Sequence, residues 1–121
     1  MTTAPPKLNG VVFDCADLEV MAAFWGGLLG MKVTSREEDW LDLEPLHPGG
    51  ATLSFQRVPE GKKSKNRLHL DFDVLDVRAA GERARELGAT PLGEPMGNNP
   101  DKPFQVWRDP EGNEFCLCTA S

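Results

Sequence analysis

The residues best suited to chemistry fall in two short runs of alternating character. In Arg67-Leu68-His69-Leu70-Asp71-Phe72-Asp73-Val74 every second residue is apolar. A strand there carries His69, Asp71 and Asp73 on one face and Leu68, Leu70, Phe72 and Val74 on the other. The same period in the run from Glu114 to Thr119 places Glu114, Cys116 and Cys118 on one side. Imidazole, carboxylate and thiol side chains are the groups that ligate cations or exchange protons. Each residue also has a plainer use. His69 is equally suited to a hydrogen bond with Glu114 or Asp71, and Glu114 to anchoring the turn at Gly112-Asn113. The two cysteines suit packing as small hydrophobes, because no base adjoins them in sequence. His47 sits in a Pro-Gly turn that faces solvent.

These runs belong to a pattern that occurs twice. Leu8 to Asp14 is β-branched and apolar, Asp17 precedes a helical stretch from Leu18, and Gly30 follows its end. In the second half the strand at 67–74 leads to Asp76, a helical stretch from Val77, and Gly88. Asp before a helix accepts bonds from its unpaired N–H groups, and Gly after it adopts the left-handed conformation that ends it. Strands then suit 31–35, 40–44 and 51–58 in the first half, and 89–92, 104–108 and 114–119 in the second. The spacing predicts an α+β fold of two βαβββ modules in one domain over 1–121, with module one at about 7–58 and module two at about 67–120. The eight strands are expected to form a curved mixed sheet around a cavity, with the helices on its outer face.

Superposing the halves on Asp17 and Asp76 puts Gly10, Val12 and Asp14 where the second half has His69, Asp71 and Asp73. Aligning the Gly-containing turns before the last strand of each half makes Thr52, Ser54 and Gln56 correspond to Glu114, Cys116 and Cys118. Phe24 and Trp25, spaced with Met21 and Leu28, suit a helix face in the core. Trp40, Phe55, Phe104 and Trp107 lie on strands, where core packing is the first expectation and the wall of an aromatic cavity the second. The stretch 93–103, with Gly97-Asn98-Asn99-Pro100, reads as a longer loop.

Composition removes several classes of function. A formal charge of −6 on 121 residues disfavours a phosphate backbone as partner. The basic stretch Lys62-Lys63-Ser64-Lys65-Asn66-Arg67 reads as a solvated loop. No apolar run is long enough to cross a membrane, and the start lacks the apolar core of a signal peptide, so a cytoplasmic location is expected. Three cysteines in a reducing compartment argue against a disulfide framework.

The segments Asp17…Phe24-Trp25…Leu29-Gly30, Arg67-Leu68-His69-Leu70-Asp71 and Asp109-Pro110-Glu111-Gly112-Asn113-Glu114 resemble the glyoxalase/bleomycin-resistance/dioxygenase (vicinal oxygen chelate) superfamily, across nearly the whole chain. The closing Asp-Pro-Glu-Gly-Asn-Glu run is the most specific of them. The resemblance implies paired modules with metal ligands on the first and last strands of each. By position it assigns His69 and Glu114 in module two, against Gly10 and Thr52 in module one, which offer no matching pair. The reading that follows is a glyoxalase-like protein that binds a small organic molecule for resistance or sequestration. Its site is placed around His69, Asp71, Gln56, Trp107 and Glu114, with no cofactor required, and the resemblance implies a homodimer. The alternative is a lyase, isomerase or dioxygenase using a divalent metal held by His69 and Glu114.

Overall fold

The computed structural model describes residues 8–59 and 69–120. The basic stretch at 62–67, and Leu68, lie outside them. Two copies of the βαβββ order are present. The first comprises β1 (Gly10–Cys15), α1 (Leu18–Leu29), β2 (Val33–Arg36), β3 (Trp40–Pro45) and β4 (Thr52–Arg57). The second comprises β5 (Leu70–Val74), α2 (Val77–Leu87), β6 (Thr90–Pro91), β7 (Phe104–Arg108) and β8 (Glu114–Thr119). The eight strands divide into two four-stranded sheets, β1-β4-β3-β2 and β5-β8-β7-β6. Both are mixed, since β1 pairs with β4 and β5 with β8 in parallel while the other pairs are antiparallel. No strand pairing joins the sheets among the described residues.

Both helices begin and end on the residues whose chemistry predicted it. Asp17 accepts from the N–H groups of Glu19 and Val20, and Asp76 from those of Arg78 and Ala79. Gly30 and Gly88 close the helices at φ of 67° and 116°, a region open to Gly at little cost.

Strand alternation sorts each sheet into a packed and an open face. Val11, Phe13 and Cys15 of β1, Leu70, Phe72 and Val74 of β5, and Phe115 and Leu117 of β8 pack into one hydrophobic core with the helices. Trp25 joins the halves within that core. Its ring centroid lies 5.3 Å from that of Phe13, 5.7 Å from Phe72 and 5.0 Å from Phe115, so one side chain of α1 touches strands of both sheets.

The Asp-Pro-Glu-Gly-Asn turn before β8 completes this junction. Asp109, buried at 3 % exposure, accepts at Oδ2 from Trp25 Nε1 (3.1 Å) and at Oδ1 from the backbone N–H groups of Glu111 and Asn113 (2.9 Å each). Glu111 reaches across to accept from Ala16 N (2.7 Å) and Asp17 N (2.8 Å), at the entrance to α1. Burial pushes the Asp109 carboxyl above the usual carboxylate range, against the pull of the bonds from Asn113, Glu111 and Trp25. The sequence feature most specific for the resembled family is therefore a latch between the halves. Its work is mechanical, and the face that can meet a ligand lies elsewhere.

Candidate functional site

On the second sheet, the register Asp71↔Cys116 and Asp73↔Cys118 across β5 and β8 sets these four residues on the open side. Phe104, Val106 and Arg108 of β7 share that side, through their pairing with Cys118, Cys116 and Glu114. His69 Nε2 lies 3.2 Å from Asp71 Oδ1, and both side chains are 61 % exposed. Cys116 is buried and Cys118 half-buried, both are free, and their sulfurs are 3.6 Å apart. Asp71, Cys116 and Cys118 each offer a ligand atom, all within 4.8 Å of one another. Burial pushes the Cys116 thiol up to about 12, and the neighbouring Cys118 sulfur and the Asp71 charge add to the shift.

On the first sheet the open side carries a cleft of about 600 Å³, lined by residues that include Gly10, Val12, Trp40, Asp42, Thr52 and Ser54. The floor is built by register, with Gly10 opposite Thr52 and Val12 opposite Ser54 on β1 and β4, and Asp42 opposite Ser54 on β3. Trp40 Nε1 and Ser54 Oγ both donate to Asp42 Oδ1, at 2.7 Å and 2.5 Å. The indole is thereby locked against the carboxylate, giving an aromatic wall beside a fixed negative charge. Hydroxyls of Thr52 and Ser54 lie alongside. Such a site can stack a flat or apolar group while accepting hydrogen bonds from a donor-bearing or cationic one.

The residues expected to form one site are distributed over three places. His69 and Asp71 come together on the open face of the second sheet. Glu114 starts β8 opposite Arg108, one position before Phe115, which pairs with Leu70. Gln56 is exposed on the first sheet, between Asp14 and Trp40. Trp107 is only 2 % exposed and points to the helix side, where Arg85 lies over its ring and Gly81 of α2 meets its edge. Of the four strand aromatics, Phe55 and Trp107 took the core, Phe104 stays half-buried on the second sheet's open side, and Trp40 lines the cleft. Asp42 was not singled out from the sequence, although the signal was there. Trp40-Leu41-Asp42-Leu43 alternates like the strand at His69, and Leu41 and Leu43 are fully buried while Trp40 and Asp42 face outward.

The metal positions implied by the resemblance do not make a complete donor set. Gly10 has no side chain, and a Cβ added there would lie 2.9 Å from Thr52 Oγ1. Module one thus brings one hydroxyl where a ligand pair is needed, which leaves His69 and Glu114 without the further protein donors that metal sites ordinarily require. No chemical step is assigned to a metal between these four positions.

Comparison with known proteins places this geometry. The chain is 28 % identical to an ethylmalonyl-CoA/methylmalonyl-CoA epimerase of Cereibacter sphaeroides, over 92 % of this chain and 93 % of that one. Its fold matches a glyoxalase/bleomycin resistance protein/dioxygenase family enzyme from Burkholderia phytofirmans with a TM-score of 0.80, at 22 % identity, covering 96 % of this chain and all of the other. It also matches the fosfomycin resistance protein FosX from Mesorhizobium loti with a TM-score of 0.72, at 17 % identity, covering 100 % and 95 %. Residues 10–118, from the first residue of β1 to the penultimate residue of β8, match the model of the glyoxalase-like domain, and the chain belongs to that family.

Proposed function

We propose that this protein binds a small organic molecule in the cleft of the first sheet, as a glyoxalase-like protein of resistance or sequestration type. The observation that carries the reading is the Trp40–Asp42–Ser54 arrangement. It is a cavity in the size range of small-molecule sites, with an aromatic wall and a carboxylate whose orientation is fixed before any ligand arrives. The likeness to a fosfomycin resistance protein supports a role in disarming or holding a small molecule. The missing donors at Gly10 and Thr52 weigh against a metal-dependent lyase, isomerase or dioxygenase. The preferred ligand carries an aromatic or apolar portion and a cationic or other hydrogen-bond-donating group. We further propose that the protein is cytoplasmic, one domain that pairs into a homodimer, with Gln56, opposite Trp40 on the same sheet, within reach of a ligand larger than the cleft.

The test is a thermal-shift screen of cationic and neutral aromatic compounds, with fluorescence titration of the hits. A ligand held at one hundred times its Kd stabilises the fold by about 2.7 kcal/mol. Asp42→Asn should weaken binding of cationic hits about tenfold or more, and Trp40→Leu should weaken all hits. A screen without a hit, together with a crystal structure in which neighbouring side chains fill the cleft, would overturn the proposal.

A further inference from the structure

The open face of the second sheet carries a side-chain cluster that the cleft on the first sheet does not use. The two-residue strand period puts Cys116 and Cys118 on the same side of β8. Their sulfurs are 3.6 Å apart, and a carboxylate oxygen of Asp71, on the neighbouring parallel strand, lies within 4.8 Å of both. His69, two residues before Asp71, contacts the same carboxylate at 3.2 Å. The cluster is layered, with Cys116 at 6 % exposure at the bottom, Cys118 above it and Asp71 at the solvent edge.

We propose that Cys116, Cys118 and Asp71 form a binding site for a thiophilic divalent cation, Zn²⁺ or the softer Cd²⁺, and that His69 orients the Asp71 carboxylate. Two thiolates and a carboxylate are a donor set that suits Zn²⁺ and its softer relatives rather than Mg²⁺ or Ca²⁺, which prefer oxygen alone. The spacing supports this choice. With Zn–S bonds of about 2.3 Å, the S···S edge of a tetrahedral site is about 3.8 Å, within a few tenths of an ångström of the separation found. The Asp71 carboxylate lies within 4.8 Å of both sulfurs, and its side chain is exposed. Three protein donors leave a fourth position to water. The chain's charge of −6 favours cation capture.

The same sulfurs are poorly placed for the obvious rival, a disulfide. Residues i and i+2 of a strand are about 6.7 Å apart at Cα, near the upper limit for a disulfide, so oxidation strains β8 where it is paired on both sides. Chelation closes on the sulfurs without moving the strand. This site differs in residues from the His69 and Glu114 positions that the family resemblance marks, and it is independent of the proposed cleft.

The experiment is anaerobic titration of the reduced, chelator-treated full chain with Cd²⁺, followed through the ultraviolet thiolate-to-metal charge-transfer band. Co²⁺ serves as the visible reporter of tetrahedral geometry. The expected result is saturation at one equivalent with Kd below about 1 μM. Cys118→Ser should abolish the band. Asp71→Asn should weaken affinity at least tenfold, and His69→Ala should weaken it by about tenfold with the band retained, as for other residues that orient a ligand. Cys15→Ser should leave the band unchanged. Cys116 is buried, and its variant is interpreted only if its circular dichroism is native; Cys118, half-buried, gives the decisive substitution. Absence of the band, its persistence in the Cys118 variant, or binding weaker than about 100 μM would each overturn the assignment.

Discussion

Replacing Asp109 by Ala removes the acceptor for four donor groups, and its cost can be worked out donor by donor. Trp25 Nε1 belongs to a side chain with no exposure, so once its 3.1 Å bond to Asp109 is gone it has no access to water. An unsatisfied buried donor costs about 1–3 kcal/mol. The N–H groups of Glu111 and Asn113 and the Asn113 amide lie in a half-buried turn. Water can take over there, and each loses about 0.5 kcal/mol. The opposite contribution is the relief of a carboxylate that burial holds above its usual pKa. It offsets part of the loss. The balance is a destabilisation of about 3 kcal/mol, which for a chain of this size lowers Tm by about 12 °C. The assay is urea and thermal unfolding of Asp109→Ala, Trp25→Phe and the double variant. Because Trp25→Phe removes the buried donor and keeps an aromatic ring, the cycle should show a coupling of about 1–2 kcal/mol. A loss below about 1 kcal/mol for Asp109→Ala, or additivity within about 0.5 kcal/mol in the cycle, refutes the latch as a stabilising element.

Two further perturbations probe the core. Gly81→Ala places a Cβ 2.7 Å from Cζ2 of the buried Trp107. Overpacking of about 1–3 kcal/mol should exceed the gain of about 1 kcal/mol in helix propensity, so the variant unfolds at lower urea; a more stable variant shows that the indole can yield. Burial, with Glu111, Asp17, Asp109 and Asp14 adding, raises the Cys15 thiol from 9.0 to about 11, and Cys116 is held at about 12. A folded pKa above the unfolded one means that the stabilisation is complete below pH 9 and is lost as pH rises through 11 and 12. The slope approaches about 1.4 kcal/mol per pH unit for each thiol, so urea midpoints should fall above pH 9. Cys15→Ala should flatten that fall, and an unchanged slope in the variant counts against the assignment.

The division between what was legible in the sequence and what was not follows from the two faces of each sheet. Capping residues, helix spans and β7 and β8 were readable because Asp17, Gly30, Asp76 and Gly88 act locally and because alternation in a half-buried strand leaves little choice of face. The packed face is also where the family's marks lie. Phe24, Trp25, Asp109 and Glu111 hold the halves together, so they report on the fold rather than on a ligand. Gathering one site from His69, Gln56 and Trp107 needed a knowledge of how the sheets sit around the core. Trp107, a strand aromatic with the right chemistry for a cavity, was drawn to the helix side because Gly81 leaves room for it there.

The open faces answer to different demands. Gly10, Thr52, Asp42 and Trp40 on one sheet, and Asp71, Cys116 and Cys118 on the other, contribute little to the shared core, so their identities are free to follow whatever the protein binds. The two faces also differ in chemistry. One offers an aromatic wall and a carboxylate already held by two donors, and the other a soft sulfur pair beside an exposed carboxylate. A single enlarged site with a complete metal set would require matching donors at Gly10 and His69, and Gly10 offers none. On the two proposals made above, a scaffold repeated twice would offer its open faces to two kinds of ligand, an organic molecule on the first and a thiophilic cation on the second. Asp42→Asn should accordingly weaken cationic organic ligands without changing cation binding, and Cys118→Ser should abolish cation binding without changing the organic ligand, as expected for sites that share no partner.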